Sequence, residues 1–328
     1  MQIVPFRRQD SERWDRLVHG APMATFLHTR RFLSYHGDRF EDASLMVNDD
    51  RGALRAVLPA ALDPADAGRV VSHPGATYGG LVHDGTLYAN GVRDALSAAC
   101  AHYAESGLRS FRYKPVPHIY HLSPSEDDVW ALSDLGARRA RCDLSCVIDL
   151  AARRPPSERR RRSLRKASRS GIQVIDDPAL ISAFWPVLEA TLDRRYATAP
   201  VHGLEEIQLL GERFPETIRV VAGLDRDELV AGIVLFATPR VFHIQYMAST
   251  ENGMRVGAPD AVAERCIDLA AEEGVRYFDF GTSMEDRGPR LQIGLHRFKA
   301  EFGGGGVVVE SYEQELGSPA GYQLSSSA

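Results

Sequence analysis

Apolar residues along the chain form short strand-like stretches and longer segments with helical spacing, and the two kinds alternate from end to end. Residues 2–6 read as a strand, followed by a helix through Trp14 and Leu17 with Ser11 as its cap. A second helical segment carries Phe32 and Tyr35. Residues 54–62 and 69–72 look like strands, the second running into the turn-rich stretch 72–81. Leu96, Cys100 and Tyr103 share one face of a helix over 94–106, which Gly107 stops before the strand 108–113. Pro115 and Pro117 then forbid regular structure.

The same order of elements recurs. The segment from Asp260 through Cys266 and Ala270 to Gly274 and Phe280 lies over that from Asp94 through Cys100 and Ala104 to Gly107 and Tyr113, with one residue inserted before the glycine. Strands 228–238 and 241–250 precede the second copy as 54–62 and its partner precede the first. Two similar halves, each feeding antiparallel strands into a helix and a returning strand, explain this with the fewest assumptions. The expected class is α/β (α+β), with domains at 1–150 and 151–302, the stretch 303–328 returning to the first, and a cleft between and within them.

Between the halves, Pro155 and Pro156 end one domain, and residues 157–170 form a basic helix closed by Gly171 in the left-handed conformation. A strand at 172–175 leads to the apolar run Leu180, Ile181, Phe184, Val187, Leu188 and Leu192, where Pro186 predicts a kink or a new helix start. Residues 153–169 hold eight Arg and one Lys against Glu158, a local +8 that leaves −13 on the rest of a chain whose net charge is −5. Such a body repels a long polyanion, while one patch can hold a few phosphates. Arg161 with Arg165, Arg162 with Lys166, and Arg165 with Arg169 are like charges at i,i+4, each costing roughly 0.2–0.5 kcal/mol, and only Leu164 and Ala167 can pack. Either acidic residues of the body or an anionic ligand compensates this helix; both readings stay open.

Composition narrows the class. With 328 residues, 44% hydrophobic and 25% charged, the chain can fill two ordinary cores. No run approaches the ~18 apolar residues of a membrane span, and residues 1–20 carry Arg and Asp where a signal peptide is apolar, so a cytoplasmic location is expected. Cys100, Cys142, Cys146 and Cys266 lack metal-binding spacing and read as buried small hydrophobes; no disulfide and no metal are expected. His73 to Tyr78 and His118 to His121 are rich in His and Tyr, again without metal spacing, and read as tight turns or a substrate rim. There is neither a Gly-x-Ser-x-Gly nucleophile motif nor a Walker loop.

The stretch 278–306 carries the densest signal. A short aromatic strand breaks at Gly281, a polar turn closes with Gly288 and Pro289, and Lys299 follows in an amphipathic helix ended by glycine. Of 39 basic residues only Lys114, Lys166 and Lys299 are lysine, so a Lys marks a place that needs a compact ammonium rather than a fork. A snorkelling surface lysine is the competing reading.

Four groups of residues carry a resemblance: Arg162-Ser163-Leu164-Arg165-Lys166-Ala167 with Gly171 to Val174; Thr191-Leu192-Asp193-Arg194; Phe278-Asp279-Phe280-Gly281-Thr282-Ser283; and Gly294-Leu295, Phe298-Lys299, Phe302-Gly303. Together they resemble the signatures of the Fem-type (FemABX-like) transferases, best from about 150 to 312. The resemblance implies twin GNAT-like domains and transfer of an amino acid from aminoacyl-tRNA to the amine of a peptidoglycan precursor; relatives act on peptide-like natural products or are N-acyltransferases. It implies that Phe298 and Lys299 bind the acyl donor and stabilise the transition state, and that Thr191 and Arg194 face the acceptor. We add Tyr78 and Lys114 to the acceptor side, and Arg161, Arg162, Arg165, Lys166, Tyr246, Gly281 and Ser283 to the donor side. Some members carry an Asp, proposed as a base, near the place where Lys114 stands here, so the base stays open.

The chemistry stands on its own. Attack of an amine on an acyl ester or thioester builds an oxyanion, and an ammonium in a dry cleft stabilises it; loss of one such donor costs ~100-fold to 1,000-fold. Lys299 suits that role, with Asp279, Glu285 and His296 as candidate proton acceptors against the plainer reading of strand-end or solvated residues. Gly281 and Gly303 to Gly306 would let backbone approach the donor. Residues 254–259 sit where a GNAT enzyme cradles the coenzyme A pyrophosphate, but lack the usual Gln/Arg-x-x-Gly-x-Gly/Ala spacing. Aminoacyl-tRNA is thus the expected co-substrate, with no other cofactor and a peptide or small-molecule amine as acceptor. The alternatives are an acyl-coenzyme A or acyl-carrier-protein N-acyltransferase and a non-catalytic binding protein.

Overall fold

The structure, a computed structural model, describes residues 1–285 and 290–317. The turn expected at Gly288 and Pro289 and the Ser-rich tail from residue 318 lie outside the described residues. Two compact units are present: Met1–Cys142 with the chain from Val309 onward, and Asp143–Val308.

The first unit holds strands β1 (Gln2–Pro5), β2 (Leu45–Asn48), β3 (Leu54–Leu58), β4 (Ala61–Asp63), β5 (Asp66–Val71), β6 (Val82–His83) and β7 (Ser110–Tyr113). Its helices are α1 (Ser11–Gly20), α2 (Arg30–Leu33), α3 (Ala89–Glu105) and α4 (Asp127–Asp134). Asp10, not Ser11, stands at the N-cap of α1, and its side chain makes no capping bond. The strand expected over 54–62 is two strands parted at Pro59, which has no N–H to give a ladder. β4 and β5 form a hairpin, α3 crosses, and β7 returns parallel to β5 with Arg69↔Ser110, Val70↔Phe111 and Val71↔Arg112 in register.

The second unit begins at Asp143 within β8 (Arg138–Asp149) and continues with α5 (Glu158–Arg169), β9 (Gln173–Asp176), α6 (Ile181–Tyr196), α7 (Leu204–Arg213), β10 (Ile218–Asp225), β11 (Glu228–Ala237) and β12 (Val241–Ser249). It closes with α8 (Glu251–Val256), α9 (Ala258–Glu272), β13 (Tyr277–Thr282), α10 (Ile293–Ala300) and the start of β14 (Gly305–Glu315); from Val309 this strand belongs to the first unit, where it pairs with β7 through Tyr312↔Tyr113. Strand order is β8-β13-β12-β11-β10-β9. The β11–β12 hairpin, α9 and the returning parallel β13 repeat the β4–β5, α3 and β7 arrangement, as the sequence alignment requires.

The sheet of the second unit has two faces. Ile148, Ile233, Leu235, Phe242, Phe278 and Phe280 belong to one core with Val262 and Cys266 of α9. On the other face α6 lays Phe184 against Gly232, where any Cβ would come within 2.4 Å of the ring. α6 runs unbroken through Pro186, contrary to the expected new start: proline removes one backbone bond, and burial of Phe184, Trp185 and Leu188 holds the helix across the gap. The sequence reading of Cys142 also needs correction. Residues 138–142, the first part of β8, are all exposed, so Cys142 is exposed while Cys146 is buried.

The basic helix α5 forms where expected, with Ser157 accepting the Arg160 N–H at 3.2 Å and Gly171 at φ +72°. Its inner stripe is Arg160, Ser163, Leu164 and Ala167, an i, i+3, i+4, i+7 pattern that starts one turn earlier than Leu164 and Ala167 alone suggested. Arg160 is only 3% exposed. Its guanidinium bonds Asp260 in the first turn of α9, lies 3.3 Å from Glu301, and sits 4.6 Å above the Phe298 ring. Ser163 also donates to Asp260. Outward-facing Arg161, Arg162 and Arg165 converge on Glu158 at 2.9, 3.6 and 2.8 Å. Bonds from Arg165 and Arg161 hold the Glu158 carboxyl down at about 2.

Removing Arg160 leaves the buried Asp260 carboxylate with only the Ser163 hydroxyl and takes one of its cations from the half-buried Glu301. Arg160→Met should destabilise the protein by about 3–5 kcal/mol, and the Arg160→Met, Asp260→Leu double variant should recover a large part of it. Urea unfolding midpoints measure both.

Candidate functional site

The parallel ladder between β12 and β13 is three pairs long: Val241↔Tyr277, Phe242↔Phe278 and His243↔Asp279. Both strands continue beyond it, β12 to Ser249 and β13 to Thr282, without pairing to each other. A bulge in β12 helps them part: Val234 pairs with Tyr246 and Leu235 with Ile244, so Gln245 faces no partner. Gly281, at φ +75°, follows at once on β13.

Lys299 enters this opening from α10. Phe302 is fully buried, its ring 5.1 Å from Phe280 and 5.5 Å from Phe298, and this cluster fixes the helix on the sheet. Lys299 Nζ donates to the carbonyl oxygens of Gly281 at 2.9 Å and Thr282 at 2.7 Å. Burial brings its pKa down to about 8, while Asp279 and Cys146 pull the other way. Lys299 is therefore not a snorkelling surface lysine: it is a buried ammonium with one N–H beyond those two bonds, partly deprotonated just above neutral pH.

Asp279 lies beside it. Its carboxylate accepts from the Ser145 hydroxyl at 2.5 Å, the Gly281 N–H at 2.8 Å and His243 Nδ1 at 2.9 Å. Burial alone would raise its pKa; the three donors, His243 foremost, outweigh burial and hold it at about 2. On the far face Cys146 is pushed up to about 11 by burial. Among the described residues the buried Ser283 Oγ and His296 Nδ1 have no hydrogen-bond partner.

Several expected site residues are engaged elsewhere. Thr191 is buried and donates to Ser249 O at 3.2 Å, and Arg194 makes an exposed pair with Glu251 at 3.4 Å. Tyr246 is buried, its hydroxyl 2.6 Å from His202 Nδ1. Glu285 is exposed, and Lys166 is exposed on α5 with Arg161, Arg162 and Arg165. Tyr78 and Lys114 belong to the first unit: Tyr78 donates to Thr25 Oγ1 at 3.1 Å, and Lys114 Nζ to Ala76 O, with burial bringing the Lys114 pKa to about 8. Gly303 and Gly304 admit the chain's own backbone, because a Cβ at Gly303 would meet Arg154 O at 2.1 Å and one at Gly304 would meet Val147 O at 2.9 Å; Gly306 instead faces the Leu144 side chain at 2.8 Å.

Helix α5 also covers the N-terminus of α9, the place expected for a pyrophosphate. A Cβ on Gly257 would lie 2.7 Å from Ser163 O, and Asp260 in the first turn already neutralises Arg160. Sequence reasoning missed His243, Ser145 and Arg160. The sequence did not mark His243: its place opposite Asp279, where the repeat sets Val71 opposite Arg112, appears only in the strand registers.

Residues 153–299 match the family described as Acetyltransferase (GNAT) domain. No curated protein matches the chain by sequence. Among solved structures it is similar to FemX, with a TM-score of 0.67 and 12% identity over 98% of this chain and 100% of that one. It is also similar to the C-terminal domain of a putative lysylphosphatidylglycerol synthetase from Agrobacterium fabrum (TM-score 0.62, 15% identity, 94% and 92% covered) and to L-PGS from Bacillus licheniformis (0.61, 14%, 95% and 95%). The fold is the Fem-like GNAT fold. Among the described residues no helix is long and apolar enough to cross a membrane, and no cluster of three or more His, Cys, Asp or Glu could hold a metal ion.

With three lysines in the chain, the side-chain titrations can be resolved one by one. Carbon-13 NMR of labelled lysine should show two resonances titrating near pH 8, from Lys114 and Lys299, well below the ~10.4 of an ordinary lysine. Lys299→Met should remove one of them.

Proposed function

We propose that the protein is an acyltransferase that forms an amide, passing an aminoacyl group from aminoacyl-tRNA to the amine of a peptide-like or small-molecule acceptor such as a peptidoglycan precursor or natural product. The observation that carries this reading is the buried Lys299 ammonium, fixed at the point where β12 and β13 part. A positive group held there in advance stabilises the oxyanion that forms when an amine attacks an acyl carbon. Likeness in fold to FemX supports aminoacyl-tRNA as donor. So does the covering of the α9 N-terminus by α5, which works against a coenzyme A pyrophosphate there. Arg161, Arg162, Arg165 and Lys166 on the outer face of α5 suit the phosphates near a tRNA acceptor end, and Arg194 suits an anionic part of the acceptor. Aminoacyl-tRNA supply places the reaction in the cytoplasm.

The second reading is an acyl-coenzyme A N-acyltransferase, favoured by the acetyltransferase family that residues 153–299 match. Supplying charged tRNA and acyl-coenzyme A pools with candidate amines, with mass spectrometry of the products, decides between them. Ribonuclease should abolish turnover. Amide formation that resists ribonuclease and requires an acyl-coenzyme A would replace the tRNA reading.

Lys299→Met should lower turnover ~100-fold or more with the fold retained. Because the ammonium must be charged, wild-type turnover should fall as pH rises through about 8, and the variant's residual rate should lack that limb. A steady-state pH profile reads both.

Neutralising two or three of Arg161, Arg162, Arg165 and Lys166 should weaken tRNA binding. Each phosphate no longer engaged should reduce the slope of log K against log salt by roughly 0.7 to 0.9. A minihelix should serve nearly as well as full tRNA, and filter binding across a salt series checks both expectations.

A further inference from the structure

Amide formation needs a proton acceptor as well as an oxyanion donor. The attacking nitrogen carries a proton that must leave when the new N–C bond forms, and an ammonium at Lys299 cannot take it. Among the groups around Gly281, the Asp279 carboxylate is occupied by Ser145, the Gly281 N–H and His243. A carboxylate so well stabilised is a weak base. It orients a histidine, however. His243 Nδ1 faces Asp279 Oδ2 at 2.9 Å, and an ionised carboxylate accepts, so Nδ1 carries the hydrogen and Nε2 holds the lone pair. Among the described residues no protein group bonds Nε2, and the side chain keeps 14% of its surface exposed.

The location fits a catalytic base. His243 and Asp279 form the last pair of the short parallel ladder, at the mouth of the opening. His243 pairs with Phe236 across β11, so it lies on the α6 face of the sheet, away from the α9 core. Gly281 links the two functional groups: its carbonyl accepts from Lys299 Nζ at 2.9 Å, and a Cβ on it would lie 3.4 Å from His243 Cε1. Lys299 and His243 thus both adjoin one residue, Gly281.

We propose that His243 is the general base of the amide-forming reaction, with Asp279, backed by Ser145, as its positioning residue. This rests on the amide-forming reading above. The amine nitrogen attacks the acyl carbon, the carbonyl π pair moves to oxygen beside Lys299, and the N–H proton passes to His243 Nε2. As the tetrahedral intermediate collapses, the ester C–O bond breaks, and the imidazolium returns that proton to the departing ribose oxygen. No other reactant is consumed.

Among the described residues, Asp279 on β13 contacts His243, Lys299 on α10 reaches the same Gly281 through its carbonyl, and His202 ahead of α7 lies beyond the Phe236 ring. Lys299 supplies the alkaline limb of the pH profile, so the acid limb reports the base. His243→Gln should cut kcat by 100-fold or more with little change in KM for either substrate, and should abolish the acid limb. His243→Ala should regain rate on addition of imidazole. Asp279→Asn should shift the acid limb rather than remove it. If the wild type forms the amide while His243→Gln turns over at the same rate with its acid limb intact, the base assignment is overturned and the reaction class survives. If the wild type forms no amide with charged tRNA or acyl-coenzyme A, the reaction reading fails and the base assignment falls with it.

Discussion

The shortness of one β-ladder governs the second unit. β12 and β13 pair through three residues and then run on apart, so the backbone of Gly281 and Thr282 loses the neighbour that a longer ladder would have supplied. A carbonyl shut away from water without a donor costs about 1–3 kcal/mol; Gly281 is half-buried and Thr282 exposed, so only part of that cost applies to them. Lys299 bonds both of them. A compact ammonium with three donors fits two adjacent carbonyls and keeps one N–H for other use, which a planar guanidinium would do less well. Structure and chemistry therefore ask the same thing of one residue, and that is a physical reason for a lysine in a chain that otherwise writes positive charge as arginine.

Around that opening, charge is arranged in compensated pairs. Asp279 offsets part of the burial of Lys299 and is itself held by three donors. A layer away, Arg160 is matched by Asp260 and Glu301 and covered by the Phe298 ring. Phe298 joins the two layers, since it packs with the Phe302 cluster that fixes α10 and lies under the guanidinium that fixes α5. A change in either layer reaches the other through an aromatic ring.

Much of this was legible in the sequence, for reasons tied to particular residues. The repeat could be read because strand–helix–strand order, with glycine after each helix, survives divergence; the parallel pairs at Val71↔Arg112 and His243↔Asp279 fall where the alignment puts them. Lys299 stood out by rarity. Arg160 did not, because nothing in its identity separates it from Arg159, Arg161 and Arg162 beside it; only its spacing to Ser163, Leu164 and Ala167 turns it inward. His243 was hidden for another reason. Its meaning depends on Asp279, 36 positions away, and a register is a three-dimensional fact. The glycines after Phe302 misled because a run that admits a ligand and a run that admits the chain's own backbone look alike in one dimension.

Glu158 shapes what the basic helix can bind. A single exposed carboxylate gathers Arg161, Arg162 and Arg165, so the outer face of α5 is loaded before any ligand arrives. A phosphate that engages those guanidiniums must displace a carboxylate as well as mobile counterions, which makes the helix surface behave as an ion exchanger. Its selectivity then rests on charge density. Groups that concentrate two negative charges compete well with Glu158, isolated singly charged ones poorly, and the release of small ions is less than a count of the arginines would suggest.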